Sequence, residues 1–288
     1  MTKTMILGKD AALEDTITRL QELLLKLGFD VEEASWLNPV PNVWSVHIRD
    51  RFCPYLFTNG KGSTKKAALA SALGEFFERL NCNYFFADFF LGEEVANAPF
   101  VHYPQEKWFA LEGDKIPKGL LDIKTLAFYN PEKELHGPKL IDTNSGNSKR
   151  GICALPFIRQ SDNETVYIPM NIVGNLYVSN GMSAGNTATE ARVQALSEVF
   201  ERSVKNRIIA EGLALPDVPK SVLATYPRIL EAIKELEGHG YPILVKDASL
   251  GGQFPVMKVT PLNPANGTCS CSYRGHRKFE LPLKRPLT

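Results

Sequence analysis

The chain has 288 residues, of which 44% are hydrophobic and 23% are charged, and its net charge is +1. This composition is ordinary for a globular protein. It excludes a membrane-spanning segment, because no apolar run approaches the ~20 residues that cross a bilayer. The near-zero net charge gives no basis for a nucleic-acid or membrane surface. The five cysteines are scattered, which favours reduced thiols. With no signal peptide in the N-terminal sequence, we expect a cytoplasmic protein that binds neither nucleic acid nor membrane.

The first third of the chain predicts an α-β-β-α order. Apolar residues at helical spacing predict a helix over residues 11–27, which Gly28 ends. Residues 43–50 and 53–60 have the composition of strands. A turn then leads into a helix predicted from about residue 64 to residue 83.

The rest of the chain continues the mixture of helices and strands. Residues 98–165 predict short strands and loops, and residues 165–178 are rich in β-formers. A glycine-rich loop, SNGMSAGNT, precedes a helix over residues 188–210, and a further helix is predicted over residues 221–237. The segments YPILVKD and FPVMKVT then predict two strands. The whole order predicts a mixed α/β domain, of the α+β kind.

One octet occurs twice, as ALGEFFER at residues 72–79 and ALSEVFER at residues 195–202. On a helix, each octet places its two glutamates on one face. Apolar residues such as Leu196 and Phe200 are predicted mostly away from that face, as an apolar back. The polar stripe of the second helix consists of four residues at helical spacing: Glu190, Gln194, Glu198 and Glu201.

Two interpretations of these stripes are open. The first is a pair of solvated helix faces, with Glu190 explained by a capping box that begins at Thr187. The second brings the two stripes together, so that their carboxylates hold Mg²⁺ and the metal binds a polyphosphate. The absence of lysine partners four residues from the glutamates, and the repetition itself, favour the second. The loop SNGMSAGNT adds backbone amides for an anion, although it is not a Walker A loop.

Three segments together resemble the YcaO family: GKDAALEDTITR, SALGEFFERL and SNGMSAGNTATEARVQALSEVFER. The resemblance covers roughly residues 1–268. It implies an ATP-binding fold unlike that of kinases and P-loop proteins. Family members use ATP and Mg²⁺ to phosphorylate a peptide backbone amide oxygen after a nucleophile has attacked. Related proteins assist the β-methylthiolation of a small-subunit ribosomal protein, so a peptide or ribosomal substrate and a partner enzyme are expected.

The resemblance also implies a set of binding residues, without implying a catalytic residue. Thr16 stands where the family typically has serine, and threonine retains the hydroxyl group. The metal and the triphosphate would be held by Glu75, Glu78, Glu198 and Glu201. The nucleotide would be contacted by Lys9, Thr16, Ser183, Asn186, Glu190, Gln194 and Arg202.

The end of the chain departs from the family pattern. The family continues beyond this length, with a strand near Cys269 and then a helix that carries another arginine. Here CSCSYRGHRKFELPLKRPLT takes that place, and its last 15 residues carry five basic residues and one acidic residue. We therefore expect a YcaO-type domain over residues 1–268, a divergent tail over residues 269–288, and a fold that is incomplete at a truncated C-terminus. An alternative to ATP binding follows from this expectation: an inactive fragment that acts at most as a protein-interaction module.

Overall fold

The structure, a computed structural model, describes residues 3–82, 84–86, 105–142, 149–175 and 179–275. They divide into two compact units, one formed by the chain up to Arg79 and from Asn180 onwards, the other by residues 80–179. The described residues contain seven α-helices and three antiparallel sheets of three strands each. The predicted mixed α/β class is therefore confirmed. Within these residues, no helix combines the length and the apolar character needed to cross a membrane.

The first unit begins with a helix, a three-stranded sheet and a second helix. The sheet has the order β1-β2-β3, with both pairs antiparallel. The elements are α1 (Leu13–Lys26), β1 (Val31–Leu37), β2 (Trp44–Asp50), β3 (Phe57–Gly62) and α2 (Lys65–Asn81). Their order agrees with the prediction, except that β1 was not predicted.

Strand β3 and helix α2 lie in close contact because glycine and alanine face each other. A Cβ atom added to Gly60 would lie 2.7 Å from the Cβ of Ala72. The Thr58 hydroxyl donates to the Ala72 carbonyl at 2.8 Å. One side of α2 is buried, including Leu73 and Phe76. These contacts fix the rotation of α2, and with it the direction of the first pair of predicted glutamates.

The second unit is built around its own sheet, β4-β5-β6, with both pairs antiparallel. Its core includes Phe109, Leu120, Leu140 and Ile152. The helices and strands of this part of the chain are β4 (Lys107–Phe109), α3 (Ile123–Tyr129), β5 (Ile152–Arg159), β6 (Glu164–Pro169) and α4 (Met170–Asn175), with 3₁₀ turns at Tyr84–Phe86 and Gly137–Leu140.

Two expectations for this region were wrong. The β-rich stretch 165–178 continues as a strand only to Pro169, and residues 170–175 are helical. The region 98–165, read as strands and loops, contains α3. Its start is fixed by the Asp122 side chain, which accepts from the Thr125 amide at 2.8 Å.

The first unit resumes with a long helix, two short helices and a third sheet. The sheet has the order β7-β8-β9 and packs on the long helix through Val204, Ile208, Val256 and Tyr273. The elements are α5 (Ala188–Ala210), α6 (Lys220–Ala224), α7 (Pro227–Gly238), β7 (Ile243–Asp247), β8 (Val256–Pro261) and β9 (Ser272–Gly275). The single helix predicted over 221–237 is two helices, because Pro227 begins a new one and restricts the residue before it.

Helix α5 buries part of its acidic face. Glu190 and Glu201 are buried, whereas the apolar residues expected at the back of the helix are exposed. Those exposed residues are Val193, Leu196, Val199 and Phe200. The side of α5 that faces the protein is therefore the acidic side.

The predicted boundary between residues 268 and 269 stays a prediction. Strand β9 lies beyond that boundary and pairs with β8, with Met257 opposite Arg274. The remainder of the predicted tail, residues 276–288, lies outside the described residues, as does Asn83 at the predicted end of α2.

Candidate functional site

Carboxylates from helices α2 and α5 face one another in the first unit. Burial raises the pKa of Glu78 to about 7, and the negative charges of Glu75 and Glu198 add to the rise, whereas Arg79 opposes it. A like charge acts this way only at short range. Glu78 on α2 and Glu198 on α5 therefore lie near enough for their charges to interact.

Glu198 lies at the α5 side of this acidic cluster, which we define as Glu75, Glu78, Glu198 and Glu201. Burial raises the pKa of Glu198 as well, against the charge of Arg202 and a hydrogen bond from the Gly181 amide. That amide belongs to the glycine-rich loop from which backbone donors were expected. The loop thus already directs one N–H group into the cluster.

Two arginines follow the glutamates in the repeated octets. Arg79 donates to the Glu75 carboxylate at 3.1 Å within α2. Arg202 lies 3.9 Å from Glu198 through Nη2 and 3.9 Å from Glu201 through Nε. Arg202 is therefore near two carboxylates without a short hydrogen bond to either.

Glu201 is bonded to strand β9. Its Oε2 accepts from the Gly275 amide at 3.2 Å, and its Oε1 lies 3.4 Å from Nη1 of Arg274. The missing side chain of Gly275 permits this approach, since a Cβ atom there would lie 2.7 Å from the Ser197 carbonyl oxygen. Both oxygens of this predicted metal ligand thus have partners within the protein.

A second group of predicted residues surrounds Glu190 at the start of α5. Lys9 Nζ donates to Glu190 Oε1 at 2.7 Å, and the Asp10 amide donates to Oε2 at 3.1 Å. Burial would raise the pKa of Glu190, but these bonds and one from Asn186 lower it overall. Thr187 caps the helix as predicted, accepting from the Glu190 amide at 3.1 Å, and its hydroxyl also donates to Asp10. The Glu190 carboxylate does not close the predicted capping box; it binds the N-terminal segment instead.

The side-chain amide of Asn186 is held in one orientation. Its Oδ1 accepts from Arg19 at 2.8 Å and lies 2.8 Å from the Thr16 hydroxyl, which is also 3.0 Å from the Ala12 carbonyl. Its Nδ2 donates to Glu190 at 3.1 Å. Lys9, Thr16, Asn186 and Glu190, predicted from distant parts of the sequence, therefore form one connected network.

Two further predicted residues lie on or beside α5. The Ser183 hydroxyl donates to the Ala191 carbonyl at 2.6 Å, which fixes the loop against the first turn of the helix. Gln194 is half-buried, midway along α5 between the Glu190 network and the acidic cluster. The nucleotide contacts predicted for both residues stay predictions.

The acidic cluster has the donor chemistry of a magnesium site. Carboxylate oxygens are hard ligands of the kind Mg²⁺ prefers. Among the described residues, however, no three His, Cys, Asp or Glu side chains are gathered closely enough to hold a metal ion alone. The cluster therefore fits a cation that brings most of its own ligands.

Several residues of the site were not predicted. Asp10 and Arg19 lie in the segment GKDAALEDTITR, but neither its spacing nor its composition distinguishes them. Arg274 is separated from Glu201 by 73 positions, and no local pattern links them. Only the packing of β9 on α5 shows that Arg274 belongs to the site.

Comparison with known proteins identifies the family. The sequence model of the YcaO family, described as cyclodehydratases that bind ATP and Mg²⁺, matches residues 59–288. The chain belongs to the YcaO family. The resemblance stated from the glutamate helices is thereby confirmed.

Two curated relatives match nearly the whole chain. The ribosomal protein S12 methylthiotransferase accessory factor YcaO of Escherichia coli is 68% identical over 289 residues, covering 100% of this chain and 49% of the relative. An uncharacterized protein of Haemophilus influenzae is 62% identical over 287 residues, with 99% and 49% covered. The chain thus spans about half the length of the curated relatives it matches.

Solved YcaO-type structures share the fold. A heterocyclase in complex with substrate and cofactor has a TM-score of 0.62 at 17% identity, covering 99% of this chain and 40% of that one. The YcaO from Methanopyrus kandleri, bound with AMPPCP and Mg²⁺, has a TM-score of 0.60 at 19% identity, covering 100% and 68%. At these identities, the likeness establishes the YcaO-type fold.

Proposed function

We propose that this YcaO-family chain binds a Mg²⁺–ATP complex between helices α2 and α5. The observation that carries the proposal is the effect of the Glu198 charge on Glu78, because it indicates that carboxylates of the two repeated octets lie near each other. The family description, ATP- and Mg²⁺-binding, supplies the ligand class. A relative of the same fold was solved with AMPPCP and Mg²⁺, which supports the same assignment.

The roles of the residues follow from their chemistry. We propose that Glu75, Glu78, Glu198 and Glu201 serve the metal and the triphosphate, and that Arg202 contacts phosphate. The remaining phosphate oxygens and water would complete the coordination of Mg²⁺. The network around Glu190 would place the nucleoside, with contacts from Lys9, Thr16, Ser183, Asn186, Glu190 and Gln194.

We further propose the kind of activity that such a site serves. ATP bound there would supply the phosphoryl group that activates a peptide backbone amide, or would support β-methylthiolation of a small-subunit ribosomal protein together with a partner enzyme, in the cytoplasm. The accessory-factor name of the E. coli relative supports the second activity. The E. coli relative is about twice as long as this chain.

Isothermal titration with Mg²⁺ and the non-hydrolysable analogue AMPPCP tests the binding site. The wild-type chain should release heat, and Glu78→Gln should weaken binding, because the variant loses a carboxylate while keeping its shape. Glu231→Gln, on α7 and away from the cluster, is the control and should bind like the wild type. Equal heats for wild type and Glu78→Gln, or none for either, would refute the proposal.

A second candidate is a protein-interaction role without catalysis. The exposed apolar side chains of α5, from Val193 to Phe200, favour it, because such patches promote association. Sedimentation of the purified chain distinguishes the two candidates. A ligand-independent assembly that Leu196→Gln abolishes, with no nucleotide binding, would favour the interaction role.

A further inference from the structure

Glu201 lies between two guanidinium groups. Its Oε1 is 3.4 Å from Nη1 of Arg274 and 3.9 Å from Nε of Arg202, and its side chain is buried. Its other oxygen is occupied by the Gly275 amide. The carboxylate is therefore used within the protein, where it holds both arginines beside Glu198.

Both arginines retain unused donors. Charge-assisted N–H···O bonds are normally about 2.7–2.9 Å long, and no carboxylate distance of Arg202 or Arg274 is that short. Within the described structure, the Nε atoms of both are buried without a hydrogen-bond partner. A buried donor in this state is destabilising unless an acceptor arrives. Two such donors from adjacent guanidinium groups match a phosphate, which accepts bonds along several edges.

The side chain of Arg274 is not needed to hold its strand. Backbone pairing with β8, the Gly275–Glu201 bond and the buried Tyr273 already fix β9 on α5. Only about a third of the Arg274 side chain is exposed, and its charge reaches Glu198 as well as Glu201. The guanidinium is thus fixed in the acidic cluster, where its charge offsets that of the buried Glu201 carboxylate.

We propose that Arg274 is a nucleotide-contacting residue, which binds the phosphates of the ligand together with Arg202, and that Glu201 positions both arginines for this contact. The inference rests on the proposed function and adds a residue outside the repeated octets. It also gives Glu201 a role that does not require direct contact with the metal. The part of the ligand that Arg274 would contact is the polyphosphate chain of a phosphate ester, and not the nucleoside.

The test compares phosphate-bearing and phosphate-free ligands. Titrations of Arg274→Gln and Arg274→Lys with Mg²⁺–AMPPCP, adenosine and Mg²⁺–tripolyphosphate are measured beside the wild type. Arg207→Gln is the control, since Arg207 lies on α5, as Arg202 does, and among the described residues it pairs with exposed Glu211 at 3.0 Å. Unfolding midpoints without ligand show whether each variant folds.

The expected result is a loss of binding affinity that is confined to the ligands that carry phosphate. Arg274→Gln should bind Mg²⁺–AMPPCP and tripolyphosphate about tenfold or more weakly, the scale of one charged hydrogen bond. Adenosine binding should be unchanged, Arg274→Lys intermediate, and Arg207→Gln like the wild type. Equal losses for adenosine and AMPPCP, no loss, or tighter binding in Arg274→Gln would overturn the inference. Arg274-dependent binding of tripolyphosphate without any nucleotide binding would refute the nucleotide function and retain the phosphate contact.

Discussion

Burial of the Glu78 carboxyl group and the negative charges of Glu75 and Glu198 together raise its pKa. Its folded-state pKa, about 7 against an ordinary 4.5, means that the folded chain binds this proton more tightly than the unfolded chain does. The contribution to stability is complete below pH 4.5 and is lost as the pH rises through the folded pKa. This carboxyl group therefore makes the protein less stable at neutral pH.

The first prediction concerns that pH dependence. The free energy of unfolding, measured by urea titration without divalent cations from about pH 5 to about pH 8, should fall for the wild type relative to Glu78→Gln. The glutamine variant lacks the titrating group, so its curve should diverge from the wild-type curve through this range. Parallel curves would show that Glu78 does not titrate there.

The second prediction concerns the Lys9–Glu190 pair. Lys9→Met leaves the buried Glu190 carboxylate with fewer donors, and should lower the free energy of unfolding by about 1 kcal/mol or more. Lys3→Met is the matched control, because Lys3 pairs with Asp15 in a largely exposed bridge that should contribute less than about 1 kcal/mol. Urea titration of both variants measures the difference. Similar small effects would mean that the Glu190 network does not anchor the N-terminal segment.

At the scale of elements, two glycines differ in the space that is available for a side chain. Gly60 in β3 faces Ala72 with no room for a side chain, whereas an added Cβ on Gly74 in α2 would meet nothing within 4 Å. Gly60→Ala should therefore push α2 from its sheet and destabilise the protein by at least about 1 kcal/mol. Gly74→Ala should stabilise it by up to about 1 kcal/mol, since alanine favours the helix. Denaturant titration measures both, and equal effects would contradict the close packing of β3 and α2.

The exposed and buried apolar residues of helix α5 give a second prediction at this scale. Leu196 is exposed and Ile208 is buried in the core beneath the third sheet. Leu196→Ala should therefore change the free energy of unfolding by less than about 0.5 kcal/mol. Ile208→Ala should cost about 2–5 kcal/mol. A large cost at Leu196 would mean that the apolar face is covered.

At the scale of the whole molecule, the acidic cluster and the Glu190 network lie in the unit formed by the two ends of the described chain. A ligand that binds only the folded form stabilises it by mass action, by about 2.7 kcal/mol at a hundredfold excess over Kd. Mg²⁺–AMPPCP should therefore raise the unfolding temperature of this unit.

Tryptophan fluorescence can measure this effect in the correct unit. Trp36 and Trp44 lie in the unit with the site, and Trp108, the third tryptophan of the chain, lies in the other. In Trp108→Phe, the remaining fluorescence reports on the site unit, and its unfolding midpoint should rise with Mg²⁺–AMPPCP. In the double variant Trp108→Phe/Glu78→Gln, the same titration should raise the unfolding midpoint by a smaller amount. An unchanged midpoint at saturating analogue would contradict binding at this site.

The sequence by itself determined the helices that carry the site. Residues 65–81 and 188–210 were predicted closely because their signals are local: apolar spacing, the Thr187 cap and the repeated octet act within a few turns of the chain. The YcaO family followed from the same segments. Of the two interpretations of the acidic stripes, the sequence favoured the one in which they face each other, because the octet is repeated and its glutamates lack lysine partners four residues away.

Only the tertiary structure decided which side of α5 is buried and which residues complete the site. Periodicity separates an apolar from a polar face, but it does not say which face meets the protein, and here the acidic face is turned inward. The split at Pro227 has a local cause, but the contact of Arg274 with Glu201 depends on neighbours distant in the chain. Such contacts are absent from any local pattern because chain folding alone brings the partners within bonding distance.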